Sequence, residues 1–183
     1  MASNYVKYWW GIDPGAKGCI CSLDEKNNVE FYPIEKISGK VINLAEIANW
    51  ICDRVFPYGD KEPEYILEHV VLEDVHSIFG SSAKSNFQFG WINGALEGIL
   101  STFKVPYTKV APKMWQKELW TGVKPVLKRG KDGKSIVDVK GTSLIAAKRL
   151  YPNVDFRRTP KCKNDDDNLV DALMMATFAK RKY

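Results

Sequence analysis

Four acidic residues stand where an apolar segment of the sequence ends or a helix begins. Asp13 ends one apolar segment, Glu73 lies in the apolar run 70–75, and Asp167 and Asp171 stand at the start of the last helical segment. A buried carboxylate is unfavourable unless a cation or a metal ion neutralises it. Because no His or Cys accompanies them, these oxygen ligands suit Mg²⁺, with Mn²⁺ as its substitute. Two such ions about 4 Å apart can activate water and stabilise a leaving oxygen, so we predict metal-assisted phosphodiester hydrolysis.

The same acids also have simpler structural interpretations. Asp before Pro-Gly is an ordinary way to start a turn, and the acids 165–167 can cap a helix and favour its dipole. Capping does not account for Asp171, a full turn inside the helix, on the face that continues through Met174 and Phe178. Both interpretations stay open for the earlier acids, whereas Asp171 favours a metal site.

The elements that must position these acids follow from hydrophobic periodicity and turn residues. Asn43 is the predicted N-cap of the first helix, and Pro112 opens the third. If the first strand and the strand ending near Glu73 lie parallel and adjacent, Asp13 and Glu73 meet at the sheet edge where open α/β sheets bind ligands. We predict strands at 5–13, 19–23, 29–34, 65–75 and 105–110, and helices at 43–55, 85–103, 112–119, 142–151 and 168–181.

Three glycines recur at intervals of four in the second predicted helix, at Gly90, Gly94 and Gly98. Glycine costs a helix interior about 1 kcal/mol relative to Ala, so a row of glycines suggests that another backbone approaches closely. A sheet, a partner helix or a second subunit are all open candidates.

A basic segment at about 122–140 breaks the pattern of regular elements. Asp132-Gly133 between the apolar pairs 126–127 and 136–137 is typical of a β-hairpin. The lysines and arginine around this turn suit a basic flap that contacts phosphates, and a solvated surface hairpin is the alternative.

The bulk properties predict a small soluble enzyme with a single domain, residues 1–183. A chain of 183 residues with 45% hydrophobic composition can fill one sizeable core. Its 27 Lys and Arg against 22 Asp and Glu favour a polyanionic partner. The 4 cysteines form no CxxC pair and are interpreted as reduced thiols. With no apolar run of about 18 residues and no leader-like N-terminus, we expect a cytoplasmic protein without a membrane partner.

An ordered series of motifs resembles the RuvC-type Holliday junction resolvases of the RNase H-like superfamily, particularly their bacteriophage members. The motifs are Gly-Ile-Asp-Pro-Gly (11–15), Leu-Glu-Asp-Val-His (72–76), Phe-Gln-Phe-Gly (87–90), Gly-Ala-Leu-Glu-Gly (94–98), Val-Pro-Tyr (105–107), Pro-Lys-Met-Trp-Gln-Lys (112–117) and the segment 167–172. The resemblance implies an α/β, RNase H-like fold, a mixed five-stranded sheet of an antiparallel meander plus parallel strands flanked by helices. It also implies a homodimer that resolves four-way DNA junctions with two Mg²⁺ ions per active site, in the host cytoplasm if the chain is viral.

By resemblance, Asp13, Glu73 and Asp171 match the family's metal-binding acids. Cellular members place the fourth acid where this chain has Asn168, whereas phage relatives often place it at the position of Asp167. We therefore predict Asp167 as the fourth ligand and Asn168 as an auxiliary oxygen donor. Lys140 lies near a functional lysine of the family and is expected to stabilise charge on the scissile phosphate, with an ordinary flap lysine as the alternative.

Other residues are predicted to contact DNA. The resemblance places a base-stacking aromatic near position 76, where this chain has His76 with Phe79 beyond it, and a structural imidazole is the alternative for His76. Lys109 is a further candidate for a phosphate contact, with plain solvent exposure as the alternative. The predicted DNA-binding residues are Lys17, His76, Phe79, Lys84, Lys113, Lys117, Lys128, Arg129, Lys131 and Lys140.

Other functions are compatible with parts of this pattern. A broader nuclease for branched DNA, flaps or RNA–DNA hybrids would share the metal site. A junction-binding protein without catalytic activity is an alternative of a different class, and the retained acids argue against it. Sugar-kinase or actin-like ATPases also begin with a strand, an Asp and a Gly-rich turn, but 183 residues leave no room for their second half.

Overall fold

The structure is a computed structural model that describes residues 5–15, 17–37, 41–56, 65–74 and 82–183. None of the helices in these ranges has the length and apolar character that crossing a membrane requires. The strands are β1 (Val6–Asp13), β2 (Cys19–Asp24), β3 (Val29–Pro33), β4 (Lys36–Ile37), β5 (Val41–Ile42), β6 (Tyr65–Glu73), β7 (Tyr107–Val110), β8 (Leu127–Arg129) and β9 (Ser135–Val137). The helices are α1 (Leu44–Val55), α2 (Ala83–Thr102), α3 (Pro112–Leu119), α4 (Val139–Leu150) and α5 (Asp167–Lys182).

Five strands form the central sheet in the order β3-β2-β1-β6-β7. β1, β2 and β3 pair antiparallel as a meander, while β6 pairs parallel with β1 on one side and with β7 on the other. The predicted mixed sheet and the adjacency of β1 and β6 are therefore confirmed.

Side chains alternate between the two faces of this sheet, and helices cover both faces. Trp10 and Ile12 of β1 belong to a core that includes Ile47 and Ile51 of α1 and residues of α2. Trp9 and the buried thiols of β2 belong to a second core, in which α5 packs directly on β1, β2 and β6. All 4 cysteines are free thiols, as predicted.

Helix starts follow the local signals that the sequence carries. The Asn43 side chain accepts a hydrogen bond from the Glu46 N–H and caps α1 as predicted, and Pro112 opens α3. α4 begins at Val139 instead of the predicted residue 142, because β9 leads straight into it and Asp138 caps it without a side-chain hydrogen bond. The strands β4 and β5 were not predicted, because two residues are too short to show alternation.

Gly11 lets α5 approach β1 closely. A Cβ at this position would lie 2.1 Å from the Ala172 carbonyl oxygen and 2.3 Å from the Ala176 nitrogen. No side chain fits there, so the absence of a side chain at Gly11 sets the distance between α5 and the sheet.

Gly11→Ala is therefore expected to push α5 away from the sheet. Overpacking of this kind costs about 1–3 kcal/mol of stability. Denaturant unfolding measures this loss. An unchanged free energy of unfolding in Gly11→Ala would contradict the role of Gly11 in setting the distance between α5 and the sheet.

The glycine row of α2 has no close neighbour in the described part of the chain. A Cβ at Gly90, Gly94 or Gly98 would meet nothing within 4 Å. Neither the sheet nor another described helix packs against this row, so of the three candidates only a second subunit remains as a prediction.

β8 and β9 form a separate two-stranded hairpin whose strand residues are all exposed. Gly133 adopts a φ of 80° in the turn, a conformation that favours glycine. At the hairpin base, Asp138 N–H donates to the Val126 carbonyl, and Val126 N–H donates to Thr142 Oγ1. These bonds attach the hairpin to the first turns of α4, close to Lys140.

Candidate active site

Asp13 and Glu73 lie side by side because their strands are parallel neighbours. Each is the last residue of its strand, and the register that pairs Ile12 with Leu72 leaves these acids as the next residues. Alternation places Asp13 on the face of Trp9 and Glu73 on the face of Val71, and this is the face that α5 covers. Both acids therefore point toward α5.

Asp13 is almost fully buried, with 8% of its surface exposed. Its Oδ1 accepts a hydrogen bond from the Gly15 N–H at 3.1 Å. Burial raises the pKa of Asp13 to about 6, and the Gly15 hydrogen bond limits the rise. The Pro14-Gly15 turn thus orients this carboxyl without neutralising it.

α5 adds Asp171 to the two acids at the strand ends. Burial and then the charges of Asp13, Glu73 and Asp167 raise the pKa of Asp171 to about 8, while the charge of Lys140 acts in the opposite direction. Burial and then the charge of Asp13 raise the pKa of Glu73 to about 7. Because these carboxyls raise one another's pKa values, they form one electrostatic cluster.

Within the described ranges, no group of three or more His, Cys, Asp or Glu side chains is arranged to hold a metal ion by itself. Asp13, Glu73 and Asp171 are thus brought together as mutually repelling carboxyls on one face of the sheet. Their binding of a metal ion remains a prediction.

Lys140 lies beside this cluster and carries a positive charge. Its Nζ forms an ion pair with Oδ2 of Asp167, 27 residues further along the chain. The hydrogen bond to Asp167 raises the pKa of Lys140, and the charges of Asp171 and Asp13 act in the same direction. The lysine singled out in the sequence therefore lies at the acids rather than out on the hairpin.

Asp167 and Asn168 occupy different environments at the start of α5. The Asp167 side chain is 41% exposed and paired with Lys140. Asn168 Nδ2 donates to Asp166 Oδ1, and a Cβ placed on Gly15 would lie 3.9 Å from Asn168 Oδ1 and 3.4 Å from Asp13 Oδ1. The Asn168 oxygen thus borders the loop that holds Asp13.

Arg158 was not predicted, and it connects the segments that surround the site. Its guanidinium donates to the backbone carbonyls of Lys17, Gly18 and Ile34 and to Oδ2 of Asp166. Asp166 in turn caps α5 by accepting from the Asn168 N–H at 2.9 Å, as the capping interpretation of the early acids anticipated. Nothing periodic marks Arg158 in the sequence, because all of its partners except Asp166 are more than 100 residues away.

The predicted DNA-contact residues that the structure describes differ in whether their side chains are paired or exposed. Lys17 lines an open groove of about 770 Å³ that Asp167 and Asn168 border. Lys109 pairs with Glu97 at 2.8 Å and Asp74 at 3.6 Å, and its contact with a phosphate stays a prediction. Lys128 pairs with Asp138 at 2.8 Å. Lys84, Lys113, Lys117, Arg129 and Lys131 are exposed, and His76 and Phe79 lie outside the described residues.

Solved structures of one protein match this arrangement of strands and helices over nearly the whole chain. The structure "T. thermophilus RuvC in complex with Holliday junction substrate" has a TM-score of 0.55 and 15% sequence identity, covering 96% of this chain and 95% of that chain. The chain has a RuvC-like fold. "Thermus thermophilus RuvC structure" has a TM-score of 0.50 and 20% identity, covering 95% of each chain.

The RuvC-like fold confirms the predicted fold class, an RNase H-like mixed sheet flanked by helices. No family model matches the sequence, and no curated protein matches it. At these identities the likeness concerns the fold, so the chemistry of the chain must be argued from its own residues.

Proposed function

We propose that this chain is a structure-selective endonuclease that resolves four-way DNA junctions by metal-dependent phosphodiester hydrolysis. The observation that carries the proposal is the convergence of Asp13, Glu73 and Asp171 on one face of a RuvC-like sheet, at the ends of two parallel strands. The solved relative bound to a Holliday junction supports the choice of substrate.

The donor set of the site fits Mg²⁺. The buried acids are oxygen donors without His or Cys. Burial and then their mutual repulsion raise their pKa values, and a bound cation would stabilise the ionised carboxylates. Asp13, Glu73 and Asp171 are not yet arranged around an ion among the described residues, and they would draw together to hold two ions, with Asp167 as the fourth ligand. When bound, the ions supply a water activated for attack and a stabilised leaving oxygen.

The remaining groups of the site orient it and balance its charge. Arg158 holds the Asp13 loop against the cap of α5, so the acids on both elements keep a fixed spacing. Lys140 lies where a phosphate oxygen approaching the acids would meet a positive charge. We propose that it leaves Asp167 to contact the scissile phosphate.

A cleavage assay tests the proposal directly. Purified protein is incubated with a labelled synthetic four-way junction, a flap and an RNA–DNA hybrid, with and without Mg²⁺. Paired cuts in the junction that require Mg²⁺ support the proposal. Preferred cutting of the flap or the hybrid would indicate the broader nuclease instead, and binding without cutting would indicate a junction-binding protein.

The fourth metal ligand is tested by two substitutions. Asp167→Asn is expected to reduce cleavage by at least about 10-fold, because it removes a charged oxygen donor, whereas Asn168→Ala has a smaller effect. Cleavage rates over a range of Mg²⁺ concentrations compare the two. Full activity in Asp167→Asn with loss in Asn168→Ala would reverse the assignment.

The hairpin is proposed to contact a DNA arm through Lys128, Arg129 and Lys131. Deleting residues 128–134 is expected to weaken junction binding and to flatten its salt dependence by about 2 to 3 units of slope, since each phosphate contact contributes about 0.9. Binding titrations at several salt concentrations measure the slope. The control replaces only the basic residues of the hairpin by Ala, and an unchanged slope in both variants would leave the hairpin without a DNA role.

A second copy of the chain is proposed to pack on α2. The glycine row has open space beside it, and Phe87 and Trp91 on the same helix are 75% and 42% exposed. A homodimer would present two sites to the two strands of a junction. The spacing of Asp167 and Asp171 also supports a place among the bacteriophage members that the sequence resembles.

A further inference from the structure

One buried hydrogen-bond donor beside the acidic cluster lacks a partner. The Trp115 side chain is fully buried, and its indole Nε1 has no hydrogen bond to any described residue. A buried donor left without an acceptor costs about 1–3 kcal/mol.

The fold places this indole on the same side of the sheet as Glu73. Glu73 pairs in register with Val110 at the end of β7, and α3 begins at Pro112, so its first turn lies next to Glu73. Val71 and Glu73 share one face of β6, and Val71 and Trp115 belong to the same buried cluster. The indole and the carboxyl therefore meet between the sheet and α3.

The Trp115 indole N–H favours the ionised form of the Glu73 carboxyl. Burial and then the charge of Asp13 raise the pKa of Glu73, and the nearby Trp115 N–H acts in the opposite direction. The N–H does not reach a full hydrogen bond in this structure. The two groups are thus adjacent, with the donor available.

We propose that the Trp115 indole N–H is a positioning group that orients the Glu73 carboxylate toward Asp13 and Asp171. The contact itself follows from the register of β6 with β7 and from the start of α3 directly after β7, whereas its value for metal binding rests on the proposed function. A phenylalanine at this position would fill most of the volume and lack the donor.

Indole N–H resonances report on this contact directly. The chain has 6 tryptophans, so a ¹H–¹⁵N spectrum of the full protein contains few indole peaks, and Trp115→Phe identifies the one that disappears. Glu73→Gln is expected to shift the Trp115 peak, and Mg²⁺ alone is expected to shift it in the unsubstituted protein. Trp120 is the matched control, because its Nε1 is also buried without a partner but has no part in the site.

Metal affinity provides the second readout. Trp115→Phe is expected to weaken Mg²⁺ binding, measured by calorimetry, by about 10-fold, as is typical when a group that orients a metal ligand is lost. Trp120→Phe should bind Mg²⁺ like the unsubstituted protein.

The outcomes separate this proposal from the proposed function. If the Trp115 peak does not shift in Glu73→Gln, the positioning role is overturned, even if the protein cuts DNA. Unchanged Mg²⁺ affinity in Trp115→Phe overturns it as well. If Glu73→Gln moves the peak but Mg²⁺ neither binds nor shifts it, the contact is supported and the metal site of the proposed function is contradicted. The spectrum of Glu73→Gln remains informative should Trp115→Phe fail to fold.

Discussion

Replacing Asp13 by asparagine is expected to abolish Mg²⁺-dependent cleavage of a four-way junction while leaving junction binding intact. The buried Asp13 carboxyl is the acid nearest the turn that closes β1, and asparagine keeps its shape but removes its charge. Loss of several kcal/mol of transition-state stabilisation by a metal site corresponds to at least about 1,000-fold in rate. Binding should persist, because removing a negative charge does not weaken contact with phosphates.

Cleavage rates and binding titrations on the same labelled junction measure both effects. Glu73→Gln should behave like Asp13→Asn. Asp74→Asn is the matched control, because Asp74 follows Glu73 directly and pairs with Lys109 away from the cluster. Wild-type cleavage by Asp13→Asn or Glu73→Gln would show that the metal assignment is wrong.

Asp171→Asn is expected to stabilise the metal-free protein at pH 8 and to abolish cleavage. The folded protein raises the pKa of Asp171 from 3.8 to about 8, so the folded state holds this proton while the unfolded chain releases it. The contribution of Asp171 to stability is therefore complete below pH 4 and is lost progressively as the pH rises toward 8. Asparagine cannot ionise, so the variant does not lose this stability as the pH rises. Each 1 kcal/mol of stability regained raises the melting temperature by about 2–4 °C in a chain of this size.

Thermal unfolding in the presence of a chelator, from pH 5 to pH 8, tests this expectation. The increase in melting temperature caused by Asp171→Asn should grow with pH. Mg²⁺ should raise the melting temperature of the unsubstituted protein more than that of the variant. Asp167→Asn is the control, because Asp167 is more exposed and already paired with Lys140. An equal increase in melting temperature at pH 5 and at pH 8 would contradict the raised pKa of Asp171 in the folded protein.

Hydrophobic periodicity predicted the main strands and helices well because it is a local property. β1 was predicted as 5–13 and spans Val6–Asp13, and the third helix was predicted with the bounds that α3 has. Boundaries were less accurate where the signal was not local. α4 starts earlier than predicted because a hairpin joins it without a turn, and β4 and β5 exist through their pairing with each other.

The sequence by itself determined that Asp13 and Glu73 lie at or near the ends of apolar strands and that Asp171 lies inside a helix in line with apolar residues. Strand alternation and helix spacing are enough for these conclusions, since they depend only on neighbouring residues. Only the tertiary structure decided that the two strands are neighbours, that Lys140 reaches Asp167, and that Arg158 joins three backbone carbonyls to the cap of α5. It also placed the Trp115 donor near Glu73. These contacts depend on how closely α5 and α3 approach the sheet, and that distance is set by packing between residues far apart in the chain, such as Gly11 against Ala172.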